Sequence, residues 1–71
     1  MIRQRIPSSH IRSIGHDIKT GLLEVEFVNG SVYQYQNVPH AAYREIITRP
    51  SAGATFDSLI KSKPFRTTKI Q

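Results

Sequence analysis

Two runs of alternating apolar and polar residues, at positions 22–28 and 31–36, flank the dipeptide Asn29-Gly30. An Asn-Gly pair between two such runs is the strongest short-range signal for a β-hairpin. The geometry of the turn decides which side chains share a face, because a one-residue shift in pairing moves every side chain of a strand to the other face. The pattern therefore predicts an antiparallel hairpin with two alternative registers.

The two registers place the tyrosines of the second run differently. A two-residue turn would set Tyr33 and Tyr35 on the exposed face with the carboxylates of the first run, where their rings could form a platform for nucleobases. A three-residue loop with Gly30 in a left-handed conformation pairs Phe27 with Ser31 and sets both tyrosines on the apolar face. We favour the second register because it separates apolar from polar side chains more cleanly. Both tyrosines are then expected to be more buried than the glutamines beside them, with hydroxyl groups reaching the surface.

A first strand is predicted over residues 9–16, before the hairpin. Its apolar positions Ile11 and Ile14 are three residues apart, which breaks strict alternation and predicts a bend or bulge near Ser13. A turn follows in which Asp17 can accept a hydrogen bond from the backbone amide two residues further on. The three strands together form an antiparallel meander.

Proline positions divide the second half of the chain into two helices. Proline fits the first position of a helix, so Val38-Pro39 predicts a helix start with Val38 as the cap residue. Pro50 ends this helix near Thr48, and Ser51 is a suitable N-cap for a second helix, which Pro64 limits at its other end. The apolar positions that recur at helical spacing are Ala42, Tyr43, Ile46 and Ile47 in the first helix and Phe56, Leu59 and Ile60 in the second.

These elements predict an α+β fold, a three-stranded antiparallel β-meander followed by two helices packed on one face, in the order β-β-β-α-α. The 71 residues allow one domain, 1–71, with a single small core, and we expect loose ends at about 1–7 and 67–71. The chain has no cysteine, so neither disulfides nor thiolate metal sites can stabilise it. It has neither a signal-like apolar run nor a stretch of about 20 apolar residues, and we expect a cytoplasmic protein without membrane contact.

Basic residues outnumber acidic ones by 10 to 5, which gives a net charge of +5. The excess lies towards the two ends of the chain, whereas the hairpin is locally acidic. A basic surface is the electrostatic signature of a nucleic-acid-binding protein, although charged ends also serve solubility alone. The candidate nucleic-acid-binding residues are Arg12, Arg49, Lys61, Lys63, Arg66 and Lys69.

The predicted start of the second helix is a candidate anion site. A helix N-terminus presents unpaired backbone amides, and Gly53 would let a phosphate approach the backbone next to Ser51. In the simpler interpretation, Ser51 only caps the helix and Gly53 lets it pack on the sheet.

No residue pattern indicates catalysis, a metal site or a cofactor. His10 and His16 would share a face of a regular strand, but two imidazoles make an incomplete metal site, and His40 is expected at an exposed helix start. The serines lack the strand-turn-helix setting of a nucleophile, and the hairpin carboxylates face solvent. We therefore expect a protein that is not an enzyme.

A set of motifs follows in fixed order along residues 8–66: Ser9, Ile11, Ile14, Gly15 and Asp17, then Leu23 to Tyr35 with the Tyr-x-Tyr pair, then Val38-Pro39, and finally Pro50, Ser51, Gly53, Phe56 and Ile60. This order of motifs resembles the KTSC domain family. The family is named after a module at the C-terminus of some lysyl-tRNA synthetases, and it also occurs as stand-alone bacterial and phage proteins. The resemblance implies a small domain with a suggested role in RNA binding, although the sequence departs from the family pattern at Ala52 and Asp57.

Two functions are compatible with these observations. The first is an RNA- or nucleic-acid-binding module that contacts phosphates through the basic terminal residues. The second is a protein-interaction module, a bacterial or phage accessory protein, that docks a partner on its sheet edge or polar sheet face.

Overall fold

Five strands lie side by side in chain order and form one antiparallel sheet in the computed structural model, which describes residues 2–71. Two helical segments separate the fourth strand from the fifth. Within residues 2–71, no helix has both the length and the apolar character needed to cross a membrane. The elements are β1 (Gln4–Arg5), β2 (Ile11–Asp17), β3 (Leu22–Phe27), β4 (Val32–Tyr35), α1 (His40–Thr48), α2 (Ala52–Phe56), which continues as a π-helical turn (Asp57–Lys61), and β5 (Thr67–Lys69).

The β3–β4 hairpin has the three-residue loop that we favoured. Val25 lies opposite Tyr33, and the Phe27 amide donates a hydrogen bond to the Ser31 carbonyl over 2.8 Å. Gly30 has a φ of 94°, a left-handed conformation that glycine adopts without steric cost. The predicted register, with its shared apolar face, is therefore confirmed.

Burial along β4 follows this register with one exception. Tyr35 is 6% exposed and Gln36 is exposed, as predicted. Tyr33 and Gln34, however, are both half-buried. Gln34 lies on the polar face, where its Nε2 donates a hydrogen bond to Glu24 Oε1 over 2.9 Å, while Tyr33 borders an open cleft on the other face.

The irregularity predicted in the first strand is a β-bulge. Ile11 pairs with Phe27 and Ser13 with Glu26, so Arg12 is the additional residue between them. This confirms the bulge inferred from the spacing of the two isoleucines. The turn after β2 is also as predicted, since Asp17 Oδ1 accepts a hydrogen bond from the amide two residues on, over 2.9 Å.

The predicted meander of three strands is one strand short at each edge. β1 pairs with β2, and β5 pairs with β4. Both added strands lie in the stretches 1–7 and 67–71 predicted as loose, and Met1 lies outside the described residues. Strands of two and three residues are too short to show an alternating pattern, so backbone pairing with a longer neighbour forms them.

Gly15 in β2 allows the residues that lead into β1 to approach closely. A Cβ at this position would lie 2.6 Å from the Ile2 carbonyl oxygen and 3.2 Å from the Arg3 Cα, and backbone atoms cannot move aside as a flexible side chain can. We expect Gly15→Ala to displace β1 and to lower the free energy of unfolding by about 1–3 kcal/mol. Urea denaturation and hydrogen exchange of the β1 amides measure both effects.

Gly53→Ala is the matched control, because the nearest neighbour of its Cβ would be the His10 side chain, at 3.2 Å. This ring can rotate away, and alanine favours a helix over glycine, so we expect little loss of stability. If Gly15→Ala kept the stability and the exchange protection of the wild type, the close approach of β1 would have no energetic importance.

The first helix begins one residue later than predicted. α1 starts at His40, so Pro39 and not Val38 is the cap residue. The Val38 carbonyl accepts a hydrogen bond from His16 Nε2 over 2.7 Å, while the Ala42 amide donates to the Pro39 carbonyl over 3.0 Å. The His16 side chain of β2 therefore binds the carbonyl group that would accept the first hydrogen bond of a helix capped by Val38.

The other helix boundaries agree with the proline positions. α1 ends at Thr48, two residues before Pro50. Ser51 stands at the cap position of the second helix, as predicted, but its hydroxyl makes no capping hydrogen bond. The helix then widens to π geometry over Asp57–Lys61, a local form that often occurs at functional sites.

Both helices pack on the same face of the sheet, which confirms the predicted arrangement of two layers. Phe56 and Ile60 are each 1% exposed, Leu59 is half-buried, and Phe65 folds back onto the core as partly buried. The largest fully buried side chains are Phe56, Ile11, Ile14, Leu23, Ile46, Ile60 and Val25.

Candidate functional site

An open cleft of about 500 Å³ lies between the β3–β4 hairpin and the helix that follows α1. Alternate residues of the paired strands point to this side of the sheet, and the π-helical turn forms the opposite wall. The cleft thus combines an aromatic wall with a charged one. The residues that give it this character are Phe27, Tyr33 and Tyr35 from the hairpin and Phe56, Asp57 and Lys61 from the helical segment.

The aromatic wall is a cluster of four rings. Phe27 meets Tyr33 and Phe56 edge to face, with ring centroids 5.6 Å and 5.8 Å apart. Tyr35 meets Phe56 in the same way at 5.6 Å, and the Tyr33 and Tyr35 rings are inclined by only 28°. These contacts hold the rings in place, and the half-buried Tyr33 is the tyrosine accessible from the cleft.

The tyrosine hydroxyl deepest in this cluster stays protonated. Burial raises the pKa of Tyr35, and electrostatic interactions with the Tyr33 hydroxyl group and the Asp57 carboxylate add to this effect. The Asp57 carboxylate is therefore close enough to act electrostatically on the cleft.

Two of the candidate basic residues, Lys61 and Lys69, lie on the side of the molecule that carries the cleft. Lys61 lines the cleft itself, and Lys69 lies opposite Tyr33 in the β4–β5 ladder, hence on the same face of the sheet. Lys63 and Arg66 are exposed in the segment that connects these two positions. We call Lys63, Arg66 and Lys69 the basic strip. The ion pairs among residues 2–71 involve other arginines, so the charges of Lys61 and the basic strip are available to a ligand.

The remaining two candidate basic residues lie elsewhere and have partners. Arg12 reaches the Glu26 carboxylate over 3.6 Å and donates to the Val28 carbonyl over 3.0 Å. Arg49 forms a pair of 2.7 Å with Glu45 on α1. Of the six predicted residues, the structure thus places two beside the cleft, two in the exposed segment between these along the chain, and two in ion pairs elsewhere.

The candidate anion site at Ser51 and Gly53 has a close neighbour. A Cβ on Gly53 would lie 3.2 Å from the His10 ring and 3.6 Å from the Ser8 hydroxyl, so the segment before β2 packs against this helix start. α2 itself is only five residues long. Phosphate binding at this position stays a prediction from the sequence.

Two histidines that the sequence did not connect are in contact. His16 Nδ1 lies 3.1 Å from His40 Nδ1, and Tyr43 stacks on His16 with centroids 5.7 Å apart. His40 is thus half-buried and not at an open helix start. Because His16 Nε2 donates to the Val38 carbonyl, this cluster attaches the start of α1 to β2. Among residues 2–71, no three His, Asp or Glu side chains are grouped so that they could hold a metal ion.

The face of the sheet opposite the helices is polar and largely paired within itself. Arg3 contacts Glu24 over 3.4 Å, Arg12 contacts Glu26, and the Ser13 hydroxyl donates to Glu26 over 2.9 Å. One buried nitrogen, Arg3 Nη1, has no partner among residues 2–71. The carboxylates of the hairpin are therefore neutralised by Arg3, which directly precedes β1, and by Arg12 of β2.

Comparison with known proteins identifies the family of this fold and cleft. The family model described as the KTSC domain matches residues 7–65. The chain belongs to the KTSC domain family. A crystal structure of a KTSC domain protein from Yersinia pestis superposes with a TM-score of 0.89 at 41% identity, covering 99% of this chain and 97% of that chain.

Related KTSC domains occur in two settings. An uncharacterized protein of Stutzerimonas stutzeri (strain A1501) is 34% identical over 70 residues, which are 99% of this chain and 99% of that protein. A lysine–tRNA ligase of Nostoc punctiforme is 38% identical over 55 residues, which are 78% of this chain but only 10% of the ligase. The KTSC domain is therefore found both as a whole small protein and as a minor part of a larger one, as the resemblance implied.

Proposed function

We propose that this KTSC domain is a non-catalytic module that binds single-stranded nucleic acid, RNA in particular. A base would stack on Tyr33 in the cleft, while Lys63, Arg66 and Lys69 of the basic strip contact the backbone phosphates. The observation that carries the proposal is the position of the accessible Tyr33 ring beside Lys61 and Lys69, two cations that have no ion-pair partner among the described residues. Stacking platforms next to a positive track are the usual design of single-strand binders.

The alternative, a protein-docking module, has less support from this geometry. Edge strands that recruit a partner need an accessible ladder, but β1 and β5 have only two and three residues. On the polar face, the charged groups largely satisfy one another, so a partner would have to compete with existing ion pairs. The homology to a lysine–tRNA ligase, an enzyme that acts on RNA, also agrees better with nucleic acid.

Binding of a short labelled single-stranded RNA, followed by fluorescence anisotropy, tests the proposal. With about three phosphate contacts, affinity should fall about 20-fold between about 50 and about 200 mM salt. A duplex of the same length should bind more weakly, because its bases are not available for stacking. Absence of binding at about 50 mM salt would refute the proposal, as would an affinity that does not depend on salt.

Tyr33→Leu should weaken binding to single-stranded RNA by about 1–3 kcal/mol, because leucine keeps apolar volume but removes the stacking face. Anisotropy titrations measure the loss, and Tyr33→Phe should restore most of the affinity because it retains the ring. The matched control is Tyr43→Leu, since Tyr43 is also half-buried but lies outside the cleft, beside His16. Equal losses in the two leucine variants would contradict a specific role for Tyr33.

A further inference from the structure

Asp57 is an acidic residue in a cleft otherwise suited to a polyanion. It lines the cleft on the helical wall, four residues before Lys61, which lines the same wall. No ion pair among residues 2–71 involves its carboxylate. Its charge also acts on the Tyr35 hydroxyl across the cleft. A free carboxylate here repels phosphate but accepts hydrogen bonds, so the donor groups on the edge of a base are a suitable partner for it.

The chemistry of a carboxylate selects one base. An ionised carboxylate only accepts hydrogen bonds, and its two oxygens suit two parallel N–H donors. Guanine presents two adjacent donors, N1–H and the N2 amino group, on one edge. Adenine and cytosine each place a ring acceptor beside their single amino group, and uracil places its one N–H between two acceptors, so each of them turns a lone pair towards the carboxylate.

Lys61 complements the same edge. The guanine O6 atom is next to N1–H, and a lysine ammonium is a common donor to it. Asp57 thus offers two hydrogen-bond acceptors and Lys61 offers a donor, both on the helical wall. This order complements the edge of guanine, where the donors N2–H and N1–H are followed by the acceptor O6. We propose that the cleft selects guanine, with Asp57 accepting from N1–H and N2–H and Lys61 donating to O6. This inference rests on the proposed function, since it names the base that stacks on Tyr33.

The test compares oligouridines of about 12 nucleotides that carry one central guanine, adenine, cytosine or inosine with the all-uridine strand. One good bidentate contact discriminates between bases by about 5- to 150-fold, so the wild-type domain should bind the guanine strand tighter than the all-uridine strand by a factor in this range. Inosine lacks only the N2 amino group, so it should lose much of this preference.

Asp57→Asn should remove the preference, because an amide offers one donor and one acceptor in place of two acceptors. The variant should bind guanine and inosine strands alike, while its affinity for the all-uridine strand stays the same or rises. Asp57 is exposed, so the fold should be retained, and a thermal melt verifies this. Glu45→Gln is the control for charge, since it removes one negative charge outside the cleft; it also releases Arg49, so the affinity for all strands should rise alike while the guanine preference is kept.

The outcomes of these experiments distinguish guanine selection from nucleic-acid binding in general. If all strands bind equally well to the wild type, the guanine inference is wrong while nucleic-acid binding stands. If no strand binds, the proposed function fails first. Guanosine monophosphate alone should bind more weakly than the guanine strand, because it lacks the contacts to the basic strip. If it binds as tightly and Asp57→Asn abolishes that binding, the cleft is a guanine-nucleotide site and single-strand binding is overturned.

Discussion

Replacement of Phe56 with alanine is expected to lower the free energy of unfolding by about 3–5 kcal/mol, as for other fully buried phenylalanines. Phe56 is 1% exposed and meets Phe27 and Tyr35 edge to face, so it joins the helical layer to the sheet. A domain of this size has a total stability of only about 4–10 kcal/mol, so the variant should be close to unfolding at room temperature. Urea denaturation followed by circular dichroism measures the change.

Phe65→Ala is the control for this experiment. Phe65 is also packed on the core but remains partly exposed, so its truncation should cost clearly less. An unchanged urea midpoint for Phe56→Ala would show that the second helix is not docked on the sheet as described.

Reversal of the three charges of the basic strip, with Lys63, Arg66 and Lys69 all changed to glutamate, is expected to weaken RNA binding by about 100-fold or more at about 50 mM salt. Each phosphate contact to a single strand contributes about 0.7 to the slope of log affinity against log salt, so the slope should fall by about 2. The side chains are exposed, so the domain should remain folded. Anisotropy titrations over a salt series, with a thermal melt of each variant, measure both quantities.

A second triple variant distinguishes local contacts from overall charge. Arg5, Lys19 and Arg44 are exposed, lie outside the cleft and do not take part in the ion pairs among residues 2–71. Changing them to glutamate alters the net charge by the same amount. This control should lower affinity only slightly and leave the salt slope nearly unchanged. If both triple variants lost affinity equally, binding would follow net charge alone and the basic strip would have no specific role.

Features that depend on neighbouring residues could be predicted from the sequence. The hairpin register follows from Asn29-Gly30 and from the alternation on either side, because the turn and the strands act on the same few residues. The bulge beside Ser13 and the end of α1 before Pro50 were likewise visible as local breaks in pattern. The motifs that indicated the KTSC family could also be recognised in the sequence, because each is a short run of residues and they follow one another in a fixed order along the chain.

The edges of the sheet and the start of α1 were decided by the tertiary structure. β1 and β5 are too short to carry an alternating pattern, and the close contact at Gly15 depends on a segment that is distant in the sequence. The helix starts at His40 because His16 occupies the Val38 carbonyl, an interaction over 22 residues. Long-range interactions of this kind leave no periodic signal in the chain.

The candidate site shows the same division. The sequence by itself determined that basic residues and the Tyr33–Tyr35 pair are present, and it determined which strand face the tyrosines share. Only the tertiary structure decided that Lys69 lies across from Tyr33, that Asp57 and Lys61 face the aromatic rings, and that Arg12 and Arg49 are paired elsewhere. The physical reason is that local propensities act within a few residues, whereas the grouping of charges around a cleft depends on how the strands and helices pack together.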